Sequence, residues 1–247
     1  MPSALPPLGF RPSHWRFFRH EAAATSPFPA WAYVALFLGS LIVAHLCLRA
    51  FGAIAIWPAN GVLVAALLLL ERRKAITVLS ACFLINVIFD SQLGYRDLKD
   101  VLTFSSLNAL EAFAIAVLAR RFCGAALQLG RPERLLRFAL LAAAPPILIA
   151  ATVGLWLIGT PADQFALYFA SWVSVEFLGC LVIAPSIVIL ANAPSSVDKT
   201  TGARAAGPLI LLGMSAFTAL VCLRVLPLPV AAILPVLLLG ALRLAPR

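Results

Sequence analysis

The chain has 247 residues, of which 62% are apolar and 12% charged, against roughly 45–50% and 25% in an ordinary soluble domain. So much hydrocarbon has too little polar surface to cover it, which excludes a water-soluble globular enzyme, a disordered chain and a secreted disulfide scaffold. The formal net charge of +9 would suggest a nucleic-acid partner in a soluble protein, but here the basic residues lie in short loops between apolar runs and set membrane topology.

Residues 1–28 are rich in proline and mix aromatics with Arg11, Arg16 and Arg19. They lack the uninterrupted apolar core of a cleaved signal. As a cytoplasmic basic and aromatic segment they suit either the headgroup zone of an anionic inner leaflet or a tail that fixes topology. Eight apolar segments follow, near 29–48, 54–70, 75–89, 101–118, 138–158, 165–190, 208–222 and 226–242. A helix needs about 20 residues to cross the hydrocarbon core, so the third, seventh and eighth are a little short. The expected fold is an all-α polytopic transmembrane bundle of about eight membrane-spanning helices, with 29–247 forming one integral membrane domain.

Lysines and arginines divide 15 to 4 between the two sides of this arrangement. The rich side holds both termini and the loops with Arg72, Arg121 and Lys199. By the positive-inside rule that side is the cytoplasm of a cell whose inner membrane carries the protein. An even number of crossings follows.

Buried polar residues are the informative ones in so apolar a bundle. Glu111 in the fourth segment and Glu176 in the sixth each lie about 15 Å from the outer end of their run, near the middle of the core. A mid-membrane carboxyl costs at least about 2.5–3.5 kcal/mol on insertion scales, so it normally faces the bundle interior with partners. Ser105, Asn108 and Glu111 form one stripe at helical spacing, and Trp172, Glu176, Gly179 and Ile183 another, with Gly179 permitting close helix approach. Asn86 sits toward the outer end of the third segment. The second segment opens with Trp57-Pro58-Ala59-Asn60-Gly61, in which Trp57 suits the interface belt, Pro58 a first helical turn, and Asn60 a position just below the surface. Asn60, Asn86, Asn108, Glu111 and Glu176 together suggest one polar cavity opening outward. The competing account is interhelical hydrogen bonding that merely holds the bundle, at about 0.6 kcal/mol per contact.

Enzyme and metal signatures are missing. The five cysteines are scattered with no CxxC pair, and read as small packing residues. His45 lies on the opposite side of the membrane from His14 and His20, which rules out a three-histidine site, and there is no HExxH, phosphate-gripping loop or GxSxG elbow. No catalytic residues, metal or cofactor are therefore expected. The partners expected are the lipid bilayer, a small-molecule ligand or membrane-protein partner, and a second copy of the chain as a homodimer, with no nucleic acid.

Four motifs in order, with their depth in the membrane, carry a family resemblance. They are WPANG at 57–61, the small-residue run ending at Asn86, NALEAFAIAVLARR at 108–121, and W-x3-E-x2-G-x5-P at 172–185. A closing Ala-Leu-Arg-Leu at 241–244 fits as well. Over roughly residues 30–247 the chain resembles the first type of membrane-associated sensor domain (MASE type 1) of bacterial signalling proteins. One departure is Glu176, where most relatives are expected to carry aspartate. The resemblance implies a signal-input domain, not an enzyme. Its ligand-binding or switch candidates are Trp57, Asn60, Asn86, Asn108, Glu111, Trp172 and Glu176. It also implies relay to a cytoplasmic histidine kinase or cyclic-di-GMP enzyme, which these 247 residues do not contain. The alternative is a small membrane transporter or permease-like carrier using Glu111 and Glu176 as substrate or proton sites.

Overall fold

The computed structural model describes residues 26, 28–52, 54, 56–93, 97–124, 127, 129 and 131–192. All of these belong to a unit spanning residues 1–193. The expected N-terminal segment, apart from its last residues, and the seventh and eighth apolar segments lie outside the described residues. Among the described residues the chain is all-helical, without strands. Five helices are long and apolar enough to cross a membrane: α1 (Ala30–Phe51), α3 (Arg72–Leu93), α4 (Leu98–Cys123), α5 (Pro132–Leu157) and α6 (Ala162–Asn192). A sixth, α2 (Pro58–Leu69), has only 12 residues.

Each long helix buries one face and leaves the other to lipid. On α1, Tyr33, Phe37, Leu41 and Ala44 recur at helical spacing and are buried, while Trp31, Val43 and Leu46 project outward. The helix ends at Gly52, whose φ of 70° lets its N–H turn back onto the Leu48 carbonyl at 2.8 Å. In α5, residues Phe138–Ala143 adopt a π-helical turn directly before Pro145 and Pro146. Neither proline can donate to the preceding turn, and the wider turn is a common way for a helix to absorb such lost bonds. Helix α5 flanks α4 and α6.

The short helix is the hub. Every residue from Ala59 to Leu70 is buried, as expected of a helix apolar on all sides. Helices α1, α3, α4 and α6 pack around it. Twelve residues give about 18 Å, little more than half the hydrocarbon core. The missing length lies before it, where the Trp57 N–H donates at 3.0 Å to the carbonyl of Val175, near the midpoint of α6. The described residues Ile54, Ile56 and Trp57 are not helical, and the chain becomes helical only at Pro58, beside the middle of α6, in a first turn where a missing N–H costs nothing. The sequence reading placed Trp57 in the interface belt and Asn60 just below the surface; both lie deeper. The apolar run 54–70 is long enough to read as a span, and hydropathy does not register that the helix begins only at Pro58.

Two glycines make this entry fit. A Cβ on Gly179 would overlap the carbonyl oxygen of Trp57, and one on Gly61 would come within 2.6 Å of the Gly179 carbonyl. At the other end, the Arg120 guanidinium of α4 donates to the carbonyls of Leu67 (2.9 Å) and Leu68 (3.2 Å). It thereby supplies donors and positive charge to the last turn of α2.

Gly179→Ala is expected to destabilise the protein by about 1–3 kcal/mol, the usual range for overpacking, because backbone of the α2 entry must move. Gly39→Ala, where a Cβ meets nothing within 4 Å, should be neutral or slightly stabilising. Thermal unfolding in detergent reads the difference. Equal melting temperatures for the two variants would contradict the close α2–α6 contact.

Candidate functional site

Three helices converge on one amide. Glu111 lies at the midpoint of α4 and Glu176 near that of α6, while α2 brings Asn60 in its first turn. The Asn60 Nδ2 donates to Glu111 Oε1 at 3.2 Å and to Glu176 Oε2 at 3.1 Å. All three residues are buried, at 0%, 3% and 4% exposure for Asn60, Glu111 and Glu176. Neither carboxyl has an ion-pair partner among the described residues. Asn60 and the N-terminus of α2, whose aligned peptide dipoles place partial positive charge there, face the two carboxyls. Arg120 serves the opposite pole of the same helix, so α4 supplies both an acid for the positive end of α2 and a base for its negative end.

The cluster holds more acceptors than donors. Glu111 Oε2 and Asn60 Oδ1 are buried without a hydrogen-bond partner. The thiol of Cys180, one turn beyond Glu176 on α6, joins the group: its sulfur and one oxygen from each glutamate all lie within 4.8 Å of one another. These are the described residues whose donor atoms are placed to hold a metal. The sequence reading took Cys180 as packing. The signal that points to it is the i, i+4 spacing from Glu176 to Cys180, which puts both on one helix face.

Beside the cluster lies a cavity of about 310 Å³ reaching Glu176. Trp57, Phe89, Phe104, Asn108 and Trp172 contribute to its wall, with His45 and Asp90 toward the C-terminal ends of α1 and α3. Trp172 stacks on Phe104 with ring centroids 5.1 Å apart, and backs onto Gly154, where a Cβ would meet its ring at 2.7 Å. The indole N–H groups of Trp57 and Trp172 are buried and have no hydrogen-bond partner. His45 meets Phe89 edge-on at 6.1 Å.

The seven candidate residues therefore fall into three sets. Asn60, Glu111 and Glu176 form the hydrogen-bonded cluster. Trp57, Asn108 and Trp172 line the cavity with Glu176. Asn86 is not in either set: its Nδ2 donates at 2.9 Å to Ser105 Oγ, forming a separate buried link between α3 and α4. The expectation of one cavity lined by all five polar residues is corrected accordingly, since Asn60, Asn86 and Glu111 are absent from its wall. Arg120 was read only as a topology charge, and the sequence carries no local sign that it caps a different helix.

Comparison with known proteins gives a match of the MASE1 family model to residues 24–247. No curated protein and no solved structure matches the chain.

Asn60→Ala should destabilise the bundle by about 1–3 kcal/mol, because it leaves two buried acceptors without their shared donor. Double-mutant cycles in detergent should show coupling of about 0.5–3 kcal/mol between Asn60 and each glutamate. Asn60→Ala and Asn86→Ala should instead combine additively to within about 0.5 kcal/mol. Strong coupling between the two asparagines would mean that the sets form one network.

Proposed function

The chain belongs to the MASE1 family of membrane sensor domains, and from that premise we propose that it is the signal-input domain of a bacterial signalling system. It sits in the inner membrane with both termini cytoplasmic and relays to a histidine kinase or a cyclic-di-GMP enzyme. The 15 to 4 division of basic residues supports this orientation. One observation carries the reading: the floor of the cavity is Glu176, and Glu176 is tied through Asn60 to α2.

A ligand or partner that engages Glu176 competes with the Asn60 amide for the same carboxylate. Loss of that bond frees the first turn of α2. Because α2 is buried throughout, it moves as a packed rod, and its far end lies against Arg120 at the cytoplasmic side of α4. The signal is thus a choice between two packings of one short helix. A ligand shifts that choice only by as much as it prefers one packing over the other. The aromatic side chains of Trp57, Phe104 and Trp172 give the cavity an apolar wall around Glu176.

The broken second segment favours one other reading, since secondary transporters place half-helix N-termini at mid-membrane to bind substrate. A carrier also needs an inward opening. Among the described residues the C-terminal half of α2 is buried and tied to Arg120, which supports the sensor.

Two measurements test the proposal. In intact cells, single cysteines at positions 72 and 121 in a cysteine-free background should resist an impermeant reagent; labelling from outside would overturn the orientation. With a diguanylate cyclase domain joined after Arg247, Glu176→Gln should change cellular cyclic-di-GMP several-fold at unchanged membrane level. Glutamine keeps the volume and most of the hydrogen bonding but not the charge. Unchanged output from both Glu176→Gln and Glu111→Gln would remove the cluster from the signal path.

A further inference from the structure

We propose that Glu111, Glu176 and Cys180 bind a divalent transition-metal ion of borderline softness, Zn²⁺ foremost, with the amide oxygen of Asn60 as the fourth ligand. The inference goes beyond the sensor reading and does not require it, because an ion that is sensed and an ion that is structural make the same contacts.

The first ground is the convergence of donor atoms. Two carboxylate oxygens and one sulfur lie within 4.8 Å of one another, on side chains that are all buried. Bonds of about 2.0 Å to oxygen and 2.3 Å to sulfur in a tetrahedron set ligand atoms about 3.3–3.8 Å apart. Side-chain rotation of about 1 Å closes the difference.

The second ground is independent of the cluster's composition. Asn60 is wholly buried with its amide between the two carboxyls, yet its Oδ1 has no partner, and neither has Glu111 Oε2. Buried acceptors without donors are costly. A cation placed among them satisfies Glu111 Oε2 directly, and Asn60 Oδ1 faces the ion when the amide turns over and the carboxylates bind metal in place of the N–H. Asn60 is then a donor to the carboxylates in one state and a ligand beside them in the other.

The ligand set selects the ion. A thiolate with carboxylate oxygens suits Zn²⁺ or a similar borderline ion better than Mg²⁺ or Ca²⁺, which take all-oxygen sites. Oxygen ligands in the majority argue against Cu(I), which seeks thiolate and thioether. Two carboxylates and a thiolate carry three negative charges against two on the ion, and the positive end of α2 offsets the remainder. The cavity reaching Glu176 provides an entry path.

The test uses the full chain in lipid nanodiscs. After Zn²⁺ loading and exhaustive dialysis, mass spectrometry of the metal should find one equivalent per chain. X-ray absorption at the zinc edge should show one sulfur near 2.3 Å and oxygens near 2.0 Å. Co²⁺ in place of Zn²⁺ should give a thiolate-to-metal charge-transfer band in the near ultraviolet. Cys180→Ser should abolish that band, and Glu176→Gln or Glu111→Gln should weaken Zn²⁺ binding at least tenfold. Cys82→Ser and Cys123→Ser, at other buried cysteines, should leave band and stoichiometry unchanged. The wild-type absorption spectrum needs no variant and so stands even if a substitution misfolds. Background metal only, oxygen-only coordination, or a band that survives Cys180→Ser would each overturn the proposal.

Discussion

One side-chain amide holds the middle of this bundle together. Asn60 donates one hydrogen to a carboxyl from α4 and the other to a carboxyl from α6, and it stands in the first turn of the helix that these two enclose. Each carboxyl alone costs at least about 2.5–3.5 kcal/mol at mid-membrane. Two together would repel, were they not separated by a donor and faced by a helix N-terminus. Removing any one of the three leaves the others with an expense that lipid cannot relieve. The arrangement is therefore cooperative in the strict sense that each member is tolerable only with the rest.

The half-length of α2 follows from the same constraint. A helix begun several turns earlier would place peptide mid-points, not a helix end, against the two carboxyls. Starting the helix at Pro58 puts its positive pole against the two carboxyls. The cost is non-helical backbone at Trp57, which at membrane depth is tolerated only when surrounded by protein. Gly179 supplies the room and Val175 accepts the Trp57 N–H. Arg120 completes the match at the other pole. Position, length and direction of α2 are thus set by charge, while its sides are fixed by close packing against four neighbours. A helix held in this way has few intermediate positions and is suited to act as a two-state element.

Much of this was legible in the residues. Counting from the outer ends of two apolar runs put Glu111 and Glu176 at one depth, and the structure brings their carboxyls onto a single amide. The lipid-facing helices could be read from hydropathy because lipid exposure imposes a simple rule on composition. The inner features were harder to read. The start of α2 is hidden because helical and non-helical apolar residues have the same hydropathy. Cys180 looks like any small packing residue until Glu176, one turn away, is known to be partnered across the bundle. Arg120 reads as one of many cytoplasmic charges, since its role depends on where another helix ends. Asn86 shares its depth class with Asn60, yet pairs with Ser105, a distinction set by which helix faces which and not by sequence position.

The central claim is that the Asn60 amide lies between the two mid-membrane carboxyls in the bilayer. Solid-state NMR on the protein in lipid, with ¹⁵N in asparagine side chains and ¹³C in glutamate carboxyls, measures this directly. The account predicts nitrogen–carboxyl dephasing that corresponds to about 4 Å, one hydrogen bond plus a C–O bond in a bent path, and its disappearance in Asn60→Ala. Dephasing that persists in Asn60→Ala, or none at this range in the wild-type protein, would contradict it.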